Sequence, residues 1–577
     1  MPGAARVRLM LSVSLPVTHR ADRTDPAATP PARPRVASWR RWDPPRAVRL
    51  AAALLGLAAI ATYLVTALMR LGYPFPLEYL ESNSLVEVQR ILAGRPLYAA
   101  PAVGYVPDGY SPLYFATSAA AASVLGLSYL PLRLVSLVSS LACFAVLGRL
   151  VQRETASAAA GMASAGLLAG TYFVTGTWFD VARVDSLFIA LSVAALYAAR
   201  WMRRTRGAVA AGLLLAAAFL TKQNGLAEGV AVLTALAAGP RRRLAGTAAL
   251  AYGAVLGIST LALGLASRGW YVYYVFVLMT EHTLNHAAFG QFWTMRLLPV
   301  LGLAGCALIP GARRIPLVLA AGCSALIVES YATLVHSGGE ANDLLPAYLA
   351  VALLAGLALS DQPGGLVSAG VDRLAGTRIA GWRAGQVRPW AAALVAAQLA
   401  VLVNGFHPGR ALPTSADRAA GWRLIAGMRA FGGAIAVPSD PGLDLLAGLP
   451  AVAHQGAADD VLRASGTTGT ASFRSSAARA VAARRFSAIV TDNASPPDGF
   501  PRDLTRHYRR CPQTLLAGVP PAVFQAVAGP PGRPAYLWLP AGGASCAAAV
   551  RALDGAAAAG PPPGPDGLAV QEARHER

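Results

Sequence analysis

Apolar residues in this chain fall into long unbroken runs separated by short polar stretches, not into the half-polar stripes of a water-facing fold. A helix needs about 20 mostly apolar residues to cross a bilayer. Runs at 48–69, 130–150, 157–176, 186–202, 208–221, 223–238, 244–266, 293–311, 315–335, 344–360 and 389–405 meet or approach that length, which predicts about 11 spanning helices. The first run is too long and too deep in the chain for a cleaved signal peptide, and no small-residue cleavage site follows it. Residues 112–126 are apolar but short and predict an interfacial or re-entrant helix. The aromatic stretch 270–280 predicts a second interfacial piece at the level of the lipid headgroups.

Beyond residue 405 the pattern changes. Charges of both signs appear, and short β-like runs (Ala434 to Val437, Phe486 to Thr491, Ala535 to Leu539) alternate with helical patterns. The predicted organisation is a disordered basic tail over 1–46, a membrane domain over 47–405 with a large first outer loop at 71–129, a small α/β domain over 406–552, and a disordered Ala/Gly/Pro-rich tail over 553–577. The fold class is therefore an α-helical polytopic membrane protein with a small C-terminal α/β extracytoplasmic domain.

Composition agrees: 55% of the 577 residues are hydrophobic and 14% charged, where soluble chains carry about 25% charge. The net charge of +21 comes from 50 basic residues, every one an arginine except Lys222. The arginines mark topology more than they mark a ligand. They gather in the N-terminal tail (Arg33, Arg35, Arg40, Arg41, Arg46, Arg49) and in short loops at the ends of apolar runs (Arg203, Arg204, Arg206; Arg241, Arg242, Arg243; Arg313, Arg314). That is the positive-inside pattern. It places the N-terminus and the loops near 150–155, 203–207, 239–243, 312–314 and 361–388 in the cytoplasm. The loops 71–129, 177–185, 222, 267–292, 336–343 and everything after 405 fall outside the cytoplasmic (inner) membrane. No zinc-finger, helix-turn-helix or RNA-binding pattern accompanies the charge, so nucleic acid is not an expected partner.

This topology collects the chemistry on one face. The first outer loop brings Glu78, Glu81, Glu87, Arg90, Asp108 and Tyr110; the second brings Asp180, Arg183 and Asp185; a hairpin tip brings Lys222 and Gln223. Later loops bring His282, His286, Glu340, Asn342 and Asp343. Ionisable groups at membrane depth are costly and are functional candidates by default. Glu78 and Glu81, three residues apart, share one face of a helical turn and suit general-base work toward a hydroxyl. Lys222 suits a phosphate as a compact charge, with helix anchoring as its plainer role. Asp180, Arg183 and Asp185 suit either a ligand or an internal ion-pair cluster. His282 and His286, at i, i+4, lack an acidic partner in helical register, so contacts to a lipid phosphate or sugar are favoured over a metal there. Cys143, Cys306 and Cys323 read as small core residues; Cys511 and Cys546, outside, are placed where a disulfide can form.

Several stretches, in order, resemble the GT-C superfamily of polytopic glycosyltransferases, which includes protein O-mannosyltransferase-like and aminoarabinose-transferase-like enzymes. These are Arg-Ile-Leu-Ala-Gly-Arg-Pro-Leu-Tyr (90–98), Tyr-Ser-Pro-Leu-Tyr (110–114), Phe-Asp-Val-Ala-Arg-Val-Asp-Ser-Leu (179–187), Leu-Thr-Lys-Gln-Asn (220–224) and Gly-Gly-Glu-Ala-Asn (338–342). The resemblance covers about residues 50–405. It implies a polyprenyl-phosphate-linked sugar as donor, an envelope glycan, lipid or protein as acceptor, and an inverting transfer on the outer face. It implies a carboxylate of the first outer loop as base. Many members carry adjacent Asp-Glu there; this chain has Leu80-Glu81, which points to Glu81 as base with Glu78 as helper. Lys222 and Arg183 are then expected at the donor phosphate. Asp180, Asp185, Gln223, Tyr110, His282, His286, Glu340 and Asn342 are expected at the substrates. No organic cofactor is called for; a divalent metal stays open. The rival reading is a transporter or flippase of lipid-linked sugars, which would show inverted repeats and midplane polar groups. An O-antigen-ligase-like enzyme, with a late Arg-rich loop, and a non-enzymatic scaffold are further alternatives.

Overall fold

In a computed structural model the described residues are 44–308, 315–360, 378–497, 500 and 504–554, with 44–45 and 378–389 described by backbone alone. The predicted tails lie outside these residues except at their inner edges, Pro44–Arg46 and Leu553–Asp554, which are helical. The cytoplasmic loop expected at 312–314 and residues 361–377 of the one expected over 361–388 also lie outside them; residues 378–388 of the latter are helical, not loop.

Each of the eleven apolar runs contains helix. The first nine helices are α1 (Pro44–Arg70), α2 (Glu81–Leu92), α3 (Leu113–Leu125), α4 (Tyr129–Thr155), α5 (Ala158–Gly170), α6 (Asp185–Trp201), α7 (Thr205–Thr221), α8 (Gly225–Ala238) and α9 (Arg242–Ala266). The run 293–311 is realised as a π-helical stretch Phe292–Leu297 continuing into helix Leu298–Cys306. Helices Leu317–Leu334, Leu345–Ala358 and Arg378–Asn404 realise the last three. Among the described residues, five helices are long and apolar enough to cross a membrane by themselves, or six if the bent pair 390–404 and 408–431 is one span. The other runs form shorter apolar helices, α3, α5, α7 and α8 among them. This is a multi-pass membrane architecture with several abbreviated helices. The short run 112–126 is the 13-residue α3, and 270–280 is a helical stretch passing through α, π and 3-10 geometry from Trp270 to Glu281.

Small residues set how the helices meet. In lipid, helices associate through close packing, so interfaces favour glycine and alanine. A β-carbon on Gly166 of α5 would stand 2.1 Å from the Gly56 Cα of α1, so the two backbones touch where the glycines meet.

After Asn404 the chain builds a four-stranded sheet in the order β1-β2-β4-β3, with β1 (Ile435–Ala436), β2 (Ala488–Thr491), β3 (Tyr508–Thr514) and β4 (Tyr536–Pro540). β1 and β2 run parallel; β4 is antiparallel to both its neighbours. The apolar runs anticipated β1, β2 and β4. Strand β3 was not anticipated: it carries two arginines and Pro512, its register slips between Arg510 and Thr514, and proline is tolerated there because β3 is an edge strand. Cys511 on β3 and Cys546 form a disulfide. The α/β region does not stand off from the membrane domain. It is sewn to the loop 71–129 by Ala453 N–H to the Val103 carbonyl (2.9 Å) and by Val527 and Ala528 N–H to the Leu77 carbonyl (3.0 and 2.9 Å).

Candidate functional site

The site forms where the first outer loop, the segment before α6, the α7–α8 hairpin and the α/β region meet. The turn Pro74–Leu80 presents Glu78 and leads into α2, which starts at Glu81. Both glutamates are fully buried, but their environments differ sharply.

Glu81 is saturated. Its Oε1 accepts from Arg133 Nε (3.0 Å) and the Ala182 N–H (2.6 Å), and its Oε2 from Arg133 Nη2 (2.7 Å) and the Leu77 N–H (2.6 Å). Burial alone would raise its pKa; the Arg133 charge and these hydrogen bonds outweigh burial and hold it below the usual carboxylate value. Arg133 on α4 also donates from Nη1 to the Tyr73 carbonyl (2.6 Å) and from Nη2 to the Phe75 carbonyl (2.7 Å). The pair therefore fixes Leu77, next to Glu78, against Ala182, next to Arg183.

Glu78 is the opposite case. Neither of its oxygens accepts a hydrogen bond of ordinary geometry. Its nearest cation is Arg183, with Nε 4.0 Å from Oε2. Burial raises its pKa, opposed by Arg183 and the Leu80 backbone, to about 8. Trp178 and Gly529 close over it: a β-carbon on Gly529 would stand 3.2 Å from the Glu78 Cγ and 3.1 Å from the Trp178 ring, and φ there is +66°, so this position favours glycine twice over.

Arg183 is the centre of the cluster. Nη2 donates to Tyr110 Oη at 3.0 Å, and Nη1 lies 3.8 Å from Asp108 Oδ2, while Nε and Nη1 make no hydrogen bond. Asp108 in turn accepts from Asn83 Nδ2 (2.7 Å) and gives its own N–H to Glu87 (2.7 Å). Burial raises the pKa values of both Asp108 and Glu87. Tyr110 joins this group to a second one, since its ring lies 5.3 Å from the Arg183 guanidinium and 5.7 Å from Lys222 Nζ.

Lys222 closes α7 and is 4% exposed. It donates to Asp185 (2.9 Å) and Asp343 (3.0 Å), so two carboxylates already balance its charge. Asn342 adds a bond to Asp185 Oδ1 (3.2 Å), and Gln223 Nε2 reaches the Gly109 carbonyl (2.7 Å). Asp185 Oδ2 and Gln223 Oε1 stay unbonded.

The other expected contacts divide. Asp180 is consumed by structure: it takes a bidentate pair from Arg70 (2.7 and 2.6 Å) and the Tyr172 hydroxyl (2.8 Å). Glu340 caps the 3-10 turn Ala341–Leu344. The His282 ring stacks on His336 at 4.5 Å and bonds the Asp460 carbonyl (2.7 Å), with burial pushing its pKa down. His286 is exposed at the start of its own short helix, against Phe289, so the helical i, i+4 pairing with His282 is not formed. Among the described residues no three His, Cys, Asp or Glu side chains converge as metal ligands.

Arg70 and Arg133 were not singled out by the sequence, and Asp343 was named among the loop groups without a role. Nothing local shows which carboxylate each arginine meets 52 or 110 residues away. His454 was missed as well. It is neutral, its pKa lowered by burial to about 3, with Nε2 on the Tyr79 carbonyl (3.0 Å) and Nδ1 accepting from the Gly456 N–H (3.0 Å). It ties the α/β region to the residue after Glu78.

Comparison with known families and structures adds one firm point. Residues 109–267 match the model of the dolichyl-phosphate-mannose-protein mannosyltransferase family, and the stretch includes Tyr110, Arg183, Asp185 and Lys222. The GT-C resemblance drawn from the sequence is supported over that stretch. Similar solved structures include ArnT from Cupriavidus metallidurans bound to undecaprenyl phosphate (14% identity, 69% of this chain and 85% of that one, TM-score 0.47). The apo form of the same protein gives 15% identity, the same coverage and a TM-score of 0.48. The oligosaccharyltransferase AglB from Archaeoglobus fulgidus, in complex with an inhibitory peptide and a dolichol-phosphate, gives 13% identity, 75% of this chain, 69% of that one and a TM-score of 0.43. No curated protein matches the chain.

Proposed function

We propose that this protein is a membrane glycosyltransferase that moves a sugar from a polyprenyl-phosphate donor to an acceptor hydroxyl on the outer face of the cytoplasmic membrane. The observation that carries the reading is Glu78: a buried carboxylate in the first outer loop, with no hydrogen bond of ordinary geometry, facing Arg183 of the stretch that matches the family model.

In this mechanism Glu78 is the base. A general base works best with a pKa near the operating pH, and about 8 meets that condition. The acceptor O–H gives its proton to Glu78 while the acceptor oxygen bonds the anomeric carbon. The bond from that carbon to the phosphate oxygen breaks, and its electron pair leaves with the polyprenyl phosphate. In-line attack inverts the anomeric centre. Arg183, with two unbonded nitrogens, stabilises the charge growing on the phosphate. Glu81 exchanges the base role for a positioning one, because its four hydrogen bonds leave no lone pair for a substrate proton and tether the flanks of Glu78 and Arg183. Lys222 keeps one N–H beyond its two carboxylate bonds and orders Asp185, whose free oxygen, with that of Gln223, contacts the sugar hydroxyls. Asp180 holds the loop through Arg70.

The test is full-chain protein in detergent incubated with a panel of radiolabelled polyprenyl-phosphate sugars and an extract of cell-envelope glycans, lipids and proteins as acceptor. One donor should be consumed, and Glu78→Gln should stop its consumption. A panel left intact by the wild-type protein, or a fully active Glu78→Gln variant, overturns the reading.

A further inference from the structure

Glu78 is fully buried, yet a base must come within about 2.6–3.2 Å of the hydroxyl it deprotonates. Part of its cover therefore moves when an acceptor enters. The chain over Glu78 comes from the first outer loop, from the segment before α6 and from the α/β region, and these are held in different ways.

The first two are pinned at depth. The Arg133–Glu81 pair grips Leu77 and Ala182 on either side of the site. Arg70 donates to the hydroxyl and the carbonyl of Thr177 (3.0 and 2.7 Å) and to Asp180, which fixes Trp178 on both flanks. Both arginines are buried, and parting a buried pair strands a charge away from water.

The loop Ala526–Gly532 is held more lightly. It closes on itself through Ala526 N–H to the Gly532 carbonyl (3.2 Å). Its ends belong to the α/β region: Phe524 N–H bonds Asp417 Oδ1 (2.5 Å), and Arg533 donates to the Leu516 and Pro520 carbonyls (2.8 Å each). Its middle rests on the membrane domain through backbone hydrogen bonds, from Val527 and Ala528 to the Leu77 carbonyl and from Gly529 to the Gly176 carbonyl (3.3 Å). The sequence AVAGPPG brings no charged side chain, and within it only Ala528 is buried. Segments with few buried apolar contacts open most readily. Pro530 and Pro531, both exposed, stiffen the tip so that it moves as a unit. Gly529 is where this loop lies on the base, its backbone packed against Glu78 and Trp178.

Building on Glu78 as the base of the proposed transfer, we propose that the loop Ala526–Gly532 is a strap over the acceptor entrance, which lifts from Leu77 and Gly176 to admit the acceptor hydroxyl and settles back to keep water from the reacting groups. Closure of this kind sequesters a reaction and completes its constellation of groups. It also governs the charge on the base. The groups that face Glu78 are Arg183 from the segment before α6, Glu81 on α2, and Tyr79 and Asp108 from the first outer loop; the strap adds none. Burial is the largest cause of the raised Glu78 pKa of about 8, so a strap that fails to close lets water in and lowers it toward the ordinary carboxylate value.

Gly529→Ala tests this. A β-carbon there meets the Trp178 ring at 3.1 Å and the Glu78 Cγ at 3.2 Å, at a φ of +66°, so the strap no longer seats. In full-chain protein in detergent, Gly529→Ala should move the rise of the kcat/KM profile for transfer down by at least about one pH unit from its position near about 8. Two readouts do not need transfer. Amidation of Glu78 by a water-soluble carbodiimide and glycine ethyl ester should run at least about tenfold faster in Gly529→Ala than in wild type, and in wild-type protein deuterium exchange over 527–529 should outpace that over 177–183 by at least about tenfold. Unchanged amidation in Gly529→Ala, strap amides protected as long as those of 177–183, or transfer with a pH profile unmoved by Gly529→Ala overturns the strap. If Gly529→Ala does not fold, the wild-type exchange comparison decides. Faster amidation in a protein that consumes no donor counts against the transferase reading and leaves the strap standing.

Discussion

Replacing Glu78 and Glu81 by glutamine, one at a time, separates a reacting group from a positioning group. The two side chains differ by one turn of chain and share full burial. For Glu78→Gln the charge lost is one that burial disfavours. The folded protein holds the Glu78 proton with a pKa of about 8, against 4.5 for an unburied glutamate. At about 1.36 kcal/mol per pH unit that is roughly 5 kcal/mol. The folded state binds this proton more tightly than the unfolded one. Its contribution to stability is therefore fully present below about pH 4.5 and lost as pH rises through about 8. Glu78→Gln should thus unfold no earlier than wild type at pH 7 and later at pH 9, while transfer falls about 10²–10⁴-fold, the usual worth of a general base. Glu81→Gln instead breaks a buried pair with Arg133, a loss of about 3–5 kcal/mol, and should lower the unfolding temperature by several degrees at pH 7. The assays are sugar transfer from the active donor and intrinsic-fluorescence unfolding in detergent. A Glu78→Gln variant within tenfold of wild-type activity, or a Glu81→Gln variant of unchanged stability, would refute the assignment.

Four further outcomes follow from the same contacts. The kcat/KM of transfer should climb with pH through about 8, since only ionised Glu78 accepts a proton; a profile flat from pH 6 to pH 9, a window set to bracket that value, removes Glu78 as base. Lys222→Met leaves Asp185 and Asp343 unpaired and should lower thermal stability by about 3–5 kcal/mol, whereas Arg183→Lys should weaken polyprenyl-phosphate binding with a smaller stability loss; the reverse ranking contradicts the division of labour between them. Asp180→Asn should destabilise by breaking the Arg70 pair without changing donor KM, and a raised KM with unchanged stability would return Asp180 to the substrate site. Reducing Cys511–Cys546, which closes a separation of 35 residues, should cost about 2–4 kcal/mol of local stability, read as an earlier first unfolding transition in reductant.

The hydropathy pattern by itself determined the helical runs of the membrane domain, the change of character after residue 405, and three of the four strands. Each depends on local composition repeated over many residues. The loops it grouped do meet: Glu78, Tyr110, Arg183, Asp185, Lys222 and Gln223 lie in one cluster. Roles within that site were a tertiary matter. Glu78 and Glu81 look alike in PLEYLESNSL, and only the approach of Arg133, 52 residues on, saturates one and leaves the other bare. Lys222 stood out as the lone lysine, but the carboxylates that neutralise it come from α6 and from the loop before helix Leu345–Ala358. Asp180 reads in the sequence as either a ligand group or a member of a local ion-pair cluster, and in the fold its partner is Arg70, 110 residues earlier. Hydrophobicity acts over neighbouring residues and is legible in order. The free energy of a buried charge depends on which opposite charge reaches it, and the folded chain alone decides that.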